Sequence, residues 1–303
     1  MQRRTFIHHF GLSAVALGAG IPQLHSSTGF ELTILHTNDL HGRFVHAHGK
    51  FNAFGMKAGA LIRKVRQSQE HVLLLDAGDI LHPSMGAGDE LRWLESMGYD
   101  AFVLGNHEFD RGMPDLARQI KQNRISALAA NYDLRNTPLQ GLVKPYRIFE
   151  KGGQRVGVFG LGINPQGLVP AVLREGLVHQ NPVEKANEMA KHLKQLEGCS
   201  IVICLSHLGY HYADQQVSDL SLVAQTRHID LVIGGHTHTF LPEPVVANNL
   251  DGKEVLINHA GWGGLLLGRI DLQYSNGTIH RIKGENTLVG AGDVSVEPSE
   301  QAV

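Results

Sequence analysis

Residues 101–110 read "AFVLGNHEFD": four apolar residues in a row, a glycine, then Asn106, His107 and Glu108, with Asp110 closing the stretch. An apolar run without alternation reads as a strand buried on both faces, the kind found in parallel sheets. The polar residues that follow it then fall at the carboxyl end of the strand, where open α/β sheets bind ligands. The arrangement recurs. "LTIL" (32–35) runs into His36, Asn38, Asp39 and His41; "VLLL" (72–75) into Asp76 and Asp79; "IVICL" (201–205) into Ser206 and His207; "LVIG" (231–234) into Gly235, His236 and His238. If these strands lie parallel, all of the clusters converge on one place.

Further strands are expected at 125–130 and 155–161, and helical patterns occupy 57–69, 89–97, 113–123, 182–197 and 214–227, with Asn181 as N-cap and Pro182 in the first turn of the fourth. This is a βα alternation. Three stretches instead read as antiparallel hairpins: 146–161 turning at Gly152-Gly153, 245–260 at Asp251-Gly252 and 268–282 at Asn276-Gly277. The expected fold class is therefore α/β, a pair of mixed sheets flanked by helices.

With 303 residues, 42% of them hydrophobic, the chain can bury a large core. A formal net charge of -2 leaves no basic field to draw in polymeric nucleic acid or an anionic membrane. Cys199 and Cys204 flank one expected strand, which at about 3.3 Å per residue sets them roughly 16 Å apart, beyond the ~7 Å a disulfide spans. Both are read as reduced, structural thiols.

The first 28 residues read as an export signal rather than as part of the fold. Arg3 and Arg4 precede Phe6, Ile7 and a weakly apolar run too short to span a bilayer, a pattern that resembles a twin-arginine signal. A periplasmic or exported protein without a stable membrane anchor is expected. Residues 29–288 are read as one catalytic domain and 289–303 as an acidic, disordered tail.

The side chains at the strand ends suit divalent cations. Asp39 and His41 stand two apart, as do His236 and His238, so in an extended segment each pair points one way and can clasp a metal. Asp79 offers a carboxylate able to bridge two ions, and Asn106 and His207 add neutral ligands. Mixed N/O sets of this kind favour Zn, Mn, Fe or Co over Ca or Mg. Singly, each residue reads more readily as a turn-former or a core histidine; together they point to metal. His46, His48, His71, His179, His192, His228 and His259 stand without partners and read as solvated or structural. Glu108 is read as an anchor and Trp93 as core, while Trp262, between glycines, fits either the mouth of the site or simple packing.

Taken in order, "NDLHG", "AGD", "GNHEFD", "SHLG" and "GGHTH" resemble the calcineurin-like dinuclear metallophosphatases, and within them the N-terminal catalytic domain of the 5′-nucleotidase family, over residues 31–288. The resemblance implies a four-layer α/β/β/α sandwich and two divalent metal ions. One would be held by Asp39, His41, Asp79 and His238, the other by Asp79, Asn106, His207 and His236, with His107 and Asp110 as the catalytic dyad. It implies hydrolysis of a phosphate monoester by a water bridging the metals, with His107 stabilising charge or protonating the leaving oxygen.

The family's second domain, which the resemblance implies would carry base-stacking aromatics and arginines, is expected to be absent, since the sequence stops just after the catalytic domain. A separate chain carrying such a C-terminal domain is one expected partner, alongside a phosphate-ester small molecule such as a nucleotide; weak selection of the alcohol is the other expectation. The segment 260–272 resembles the end of the family's catalytic domain, and the loop 46–57 could rim the site. Hydrolysis of cyclic nucleotides or other phosphodiesters, and a metal-binding but inactive partner subunit, are the competing readings; a thiosulfate-ester hydrolase fits less well, because "GNHEFD" retains the nucleotidase-like residues.

Overall fold

The computed structural model describes residues 30–44, 52–82, 90–275 and 278–289. The expected export signal, residues 46–51 of the 46–57 loop, the Asn276-Gly277 turn and the tail beyond Val289 lie outside these residues.

The chain begins with β1 (Phe30–Thr37), α1 (Ala53–Ser68), β2 (Val72–Asp76), α2 (Glu90–Met97), β3 (Ala101–Val103), α3 (Met113–Gln122) and β4 (Ser126–Leu128). A two-residue strand β5 (Tyr132–Asp133) precedes the hairpin of β6 (Tyr146–Lys151) and β7 (Gln154–Gly162), and pairs with β8 (Val178–His179). Then come α4 (Pro182–Lys191), β9 (Ile201–His207), α5 (Asp219–Ala224), β10 (Leu231–Gly234), β11 (Val245–Asn248), β12 (Glu254–Asn258), β13 (Leu266–Ser275) and β14 (Thr278–Leu288). One sheet has the order β14-β13-β1-β2-β3-β4, the other β11-β12-β10-β9-β7-β6. β1 to β4 are mutually parallel, as are β7, β9, β10 and β12; antiparallel strands edge the first sheet on one side and the second on both.

Two-residue periodicity explains why the strands read as unbroken apolar runs. Ile34, Leu73, Leu75 and Val103 of the first sheet meet Val158, Ile203, Leu205 and Ile233 of the second in a core between the sheets. Their neighbours Leu35, Leu74 and Phe102 face outward onto Ile62 of α1, Leu91 and Leu94 of α2 and Leu116 of α3. On the other side Phe159, Val202, Cys204 and Val232 pack against Ala186 of α4 and Leu222 of α5. These three cores separate four layers, α/β/β/α, with both sheets buried on both faces. Cys199 and Cys204 are buried and unpaired.

Helix signals in the sequence act as expected at α4: the Asn181 side chain accepts from the N–H groups of Val183 and Glu184, ahead of Pro182. α4 gives way after Lys191 to a π-helical turn, His192–Leu196. The expected helix at 214–227 is shorter than its pattern. Asp219 N–H donates to Gly209 O (2.8 Å) and Leu220 N–H to Tyr210 O (3.3 Å), tying the start of the segment back on itself. A Ser218–Ser221 capping box then starts the helix, so it spans only Asp219–Ala224. Val289, assigned to the tail from its sequence, is 5% exposed in the first outer core, with its N–H bonded to Leu265 O.

Candidate metal centre

The polar clusters after β1, β2, β3, β9 and β10 do meet. Where β1 and β2 end, their pairing continues through the loops: Asp39 N–H donates to Gly78 O, His41 N–H to Asp79 O and Gly42 N–H to Ile80 O, at 2.9, 2.9 and 2.8 Å. Asp76 shapes the second loop by accepting from the Thr37 hydroxyl (2.6 Å) and from Gly78 N–H (2.8 Å).

Asp39, His41, Asp79, His236 and His238 all have positive φ, between 47° and 78°. The left-handed region is uncommon for residues with a side chain, though Asp and His tolerate it better than most, and such strain concentrates at functional sites. The structure thereby corrects the expectation of extended pairs. His236 and His238 do not clasp one ion together, because the left-handed turns send them into different groups. Asp39, His41 and His238 form one group in which the candidate ligand atoms all lie within 4.8 Å; Asp79, His207 and His236 form a second; His41, Asp79 and His107 link them.

The electrostatics and the unsatisfied atoms both fit cations. Asp39 is fully buried, and burial, reinforced by Asp79, pushes its carboxyl up to about 7 despite His207. Burial lowers His41 to about 4 and His236 to about 3, and lowers His238 too. His207 is the exception: burial acts against its charge, but Asp79 outweighs it and raises the imidazole to about 10, while the same pairing holds Asp79 below the usual carboxylate range. Neutral imidazoles and carboxylates packed this closely make a site that favours positive charge.

His41 Nε2 and His238 Nε2 face each other at 3.0 Å. Asn106 Oδ1 and His207 Nε2 are buried without a hydrogen bond; the latter lies 3.1 Å from Asp79 Oδ2 outside bonding geometry. Meanwhile His207 Nδ1 lies 2.6 Å from Ala77 O, which fixes the tautomer that leaves Nε2 as the ligand atom. Buried polar atoms without partners are rare. His207 Nε2, grouped with Asp79 and His236, is an atom that a coordinated cation would satisfy, and Asn106 Oδ1 is a second buried acceptor free to serve as a ligand.

The "GNHEFD" stretch folds as a single 3-10 turn, His107–Phe109, and each residue takes a separate task. Glu108, 1% exposed, accepts from the N–H groups of Gly105, Asp79, Ile80 and Leu81 at 2.6, 3.0, 2.8 and 3.3 Å, so it anchors both loops as its reading anticipates. At Gly105 a Cβ would collide with Asp79 Oδ1 and lie 2.7 Å from His207 Nε2, so only glycine lets both side chains in. His107 Nδ1 is 2.6 Å from Asp110 Oδ2. Burial lowers the basicity of His107, but Asp79 and Asp110 outweigh it and raise it.

For three residues the structure decides what the sequence leaves open or passes over. His259, which shows no partner in the sequence, is fully buried and bonded to Asp219 at 2.7 Å. His82, absent from the sequence reading, has its ring 6.2 Å from His41 and 6.5 Å from His107; its place three residues after Asp79, in the same strand-end segment, is the signal that could have found it. Trp262 stands at the site rather than in a core, stacked on His238.

Residues 32–240 match the family model described as calcineurin-like phosphoesterase. The chain is 31% identical over 293 residues to a snake venom 5′-nucleotidase of Gloydius brevicauda, covering 86% of this chain and 48% of that protein. To a trifunctional nucleotide phosphoesterase protein of Bacillus subtilis it is 28% identical over 311 residues, covering 90% of this chain and 20% of that protein. The crystal structure of a 5′-nucleotidase precursor from Thermus thermophilus superposes with a TM-score of 0.73 at 28% identity, covering 86% of this chain and 54% of that one. The chain thus spans about half or less of the length of these relatives.

Proposed function

The chain belongs to the calcineurin-like phosphoesterase family, and from that premise we propose that it is a metal-dependent phosphoester hydrolase of the 5′-nucleotidase kind, with phosphate monoesters as substrates. The observation that carries this reading is that His107, oriented by Asp110 at 2.6 Å, faces the same space as the two groups of candidate ligands, within 4.8 Å of His41 and Asp79. The names of the relatives support nucleotides as the substrate class.

In this reading Asp39, His41, Asp79 and His238 hold one divalent cation, and Asp79, Asn106, His207 and His236 hold a second. When bound, such ions neutralise phosphoryl oxygens and acidify a water so that it can attack phosphorus at neutral pH. The chain's own residues do the rest. Asp110 accepts from Nδ1 of His107, keeping the imidazole protonated, with Nε2 toward the substrate. From there His107 stabilises charge on the phosphoryl group and delivers a proton to the leaving alcohol oxygen. Glu108 keeps Asp79 and Gly105 in register, so ligand and acid hold their spacing through turnover.

The test is phosphate release by the manganese-loaded protein from 5′-AMP, an aryl phosphate and an aryl phosphodiester, with His107→Asn as control. Monoester hydrolysis lost in the variant supports the reading. Preference for the diester overturns the monoester assignment, and metal uptake without turnover on any ester overturns the enzyme assignment.

A further inference from the structure

Trp262 lies in a loop fastened to both halves of one ligand group. Asn38, next to Asp39, donates from Nδ2 to Gly261 O (2.5 Å) and accepts from Ala260 N–H (2.8 Å). Gly263 N–H donates to Asp39 O (2.7 Å), and Gly261 N–H to Thr239 O, beside His238 (3.0 Å). The loop's backbone thus follows the placement of Asp39 and His238 together.

Within this frame the indole is held by two side chains. The His238 ring stacks on it at 5.4 Å between centroids and 10° between planes, while the Arg43 guanidinium carbon lies 4.2 Å above the ring centroid. Gly263 has φ 65°, and a Cβ there would come within 2.9 Å of Arg43 Cδ, so the glycine admits the arginine stem that presses on the indole. Parallel ring stacking and a cation over the face of Trp are both attractive arrangements. Arg43 and His238 thus both engage the indole.

Two histidines, one from each ligand group, are supported unequally. His207 is 0% exposed, and its ring is fixed through Nδ1 by Ala77 O. His238 is 41% exposed, and the face of its ring rests on Trp262. A ligand half in solvent loses its orientation when its support is removed, whereas one walled in by the core does not.

We infer that Trp262, clamped by Arg43, is a positioning residue for His238, so that the cation held by Asp39, His41 and His238 depends on an aromatic support that the other cation does not need. The inference rests on the metal-centre reading given under Proposed function, and metal uptake separates the two. Titrating metal-stripped protein with Mn²⁺ by calorimetry, Trp262→Ala should weaken one binding step by roughly tenfold or more, in line with the loss of a ligand's supporting partner, and leave the other within about twofold. Trp262→Phe, which keeps a stacking face, should restore most of the loss. In a Trp93→Phe chain, where Trp262 is the remaining one of two tryptophans, emission should be quenched by Mn²⁺ during the step that the alanine variant loses. Wild-type protein that takes up no cation overturns the metal-centre reading itself. Wild-type-like titration of Trp262→Ala, equal weakening of both steps, or Trp262 emission indifferent to Mn²⁺ overturns this inference while leaving that reading intact.

Discussion

The backbone N–H of His107 donates to Asp79 Oδ1 at 2.8 Å. The turn that carries the proposed acid is therefore tied to the carboxylate proposed to serve both cations, and the two functions can be separated only by substitutions that spare the backbone.

His107→Asn preserves that backbone bond and removes the imidazole. Turnover on a phosphate monoester should fall by about 10²–10⁴-fold, the range for a positioned acid or base, while bound metal measured by elemental analysis stays near wild type. Asp110→Asn should lower turnover less and shift its alkaline limb to lower pH, because it withdraws the anion that helps keep His107 protonated. Unchanged turnover in the first variant would remove His107 from the mechanism.

Asp79→Ala should deplete both cations, since its carboxylate stands in the groups of His41 and of His207 with His236. Asn106→Ala, which deletes one buried acceptor, should weaken only one. Elemental analysis after dialysis against a fixed low metal concentration distinguishes the two; equal retention in both variants would contradict a shared ligand.

Glu108→Ala should be strongly destabilising for reasons unrelated to catalysis. The carboxylate accepts from four backbone N–H groups in the interior, and orphaned buried donors cost about 1–3 kcal/mol each when nothing replaces their acceptor. Urea unfolding of metal-free protein should show a loss of at least about 3 kcal/mol; a loss under about 1 kcal/mol would mean that water replaces the carboxylate.

His36 predicts a pH dependence of stability. It is fully buried, accepts at Nε2 from Asn258 Nδ2 at 2.8 Å, and is lowered to about 3, by burial first and by His259 second. Below the ordinary value of 6.5 the unfolded chain binds a proton that the folded chain refuses. Stability from this group is thus complete above about pH 6.5 and is lost progressively on acidification toward about pH 3. Between about pH 6 and 5 the loss is about 1 kcal/mol, given ~1.4 kcal/mol per unit for a whole proton. Metal-free His36→Gln should show a slope shallower by that amount in urea titrations across this interval; parallel slopes would place the proton elsewhere.

Much of this was legible along the chain. The unbroken apolar runs at 72–75, 201–205 and 231–234 announce strands buried on both faces, and β2, β9 and β10 are such strands. Hairpin turns with glycine mark the antiparallel strands at the sheet edges. The candidate ligands were visible because they sit where apolar runs stop, a place set by local composition. What misled was geometry two residues at a time. His236 and His238 look like a pair only if the backbone is extended, and it is left-handed at both.

By itself, then, the sequence determined the layers, the strands and the chemical types of the residues at their ends, because hydrophobic period and turn chemistry are local properties. Only the tertiary structure decided which of those residues meet. The division of the histidines between two groups, the burial of His259 on Asp219, and the stack of Trp262 on His238 depend on backbone turns and on contacts between residues far apart in the chain. Such contacts follow from how two packed sheets bring distant loops to one end, and no local pattern encodes that distance.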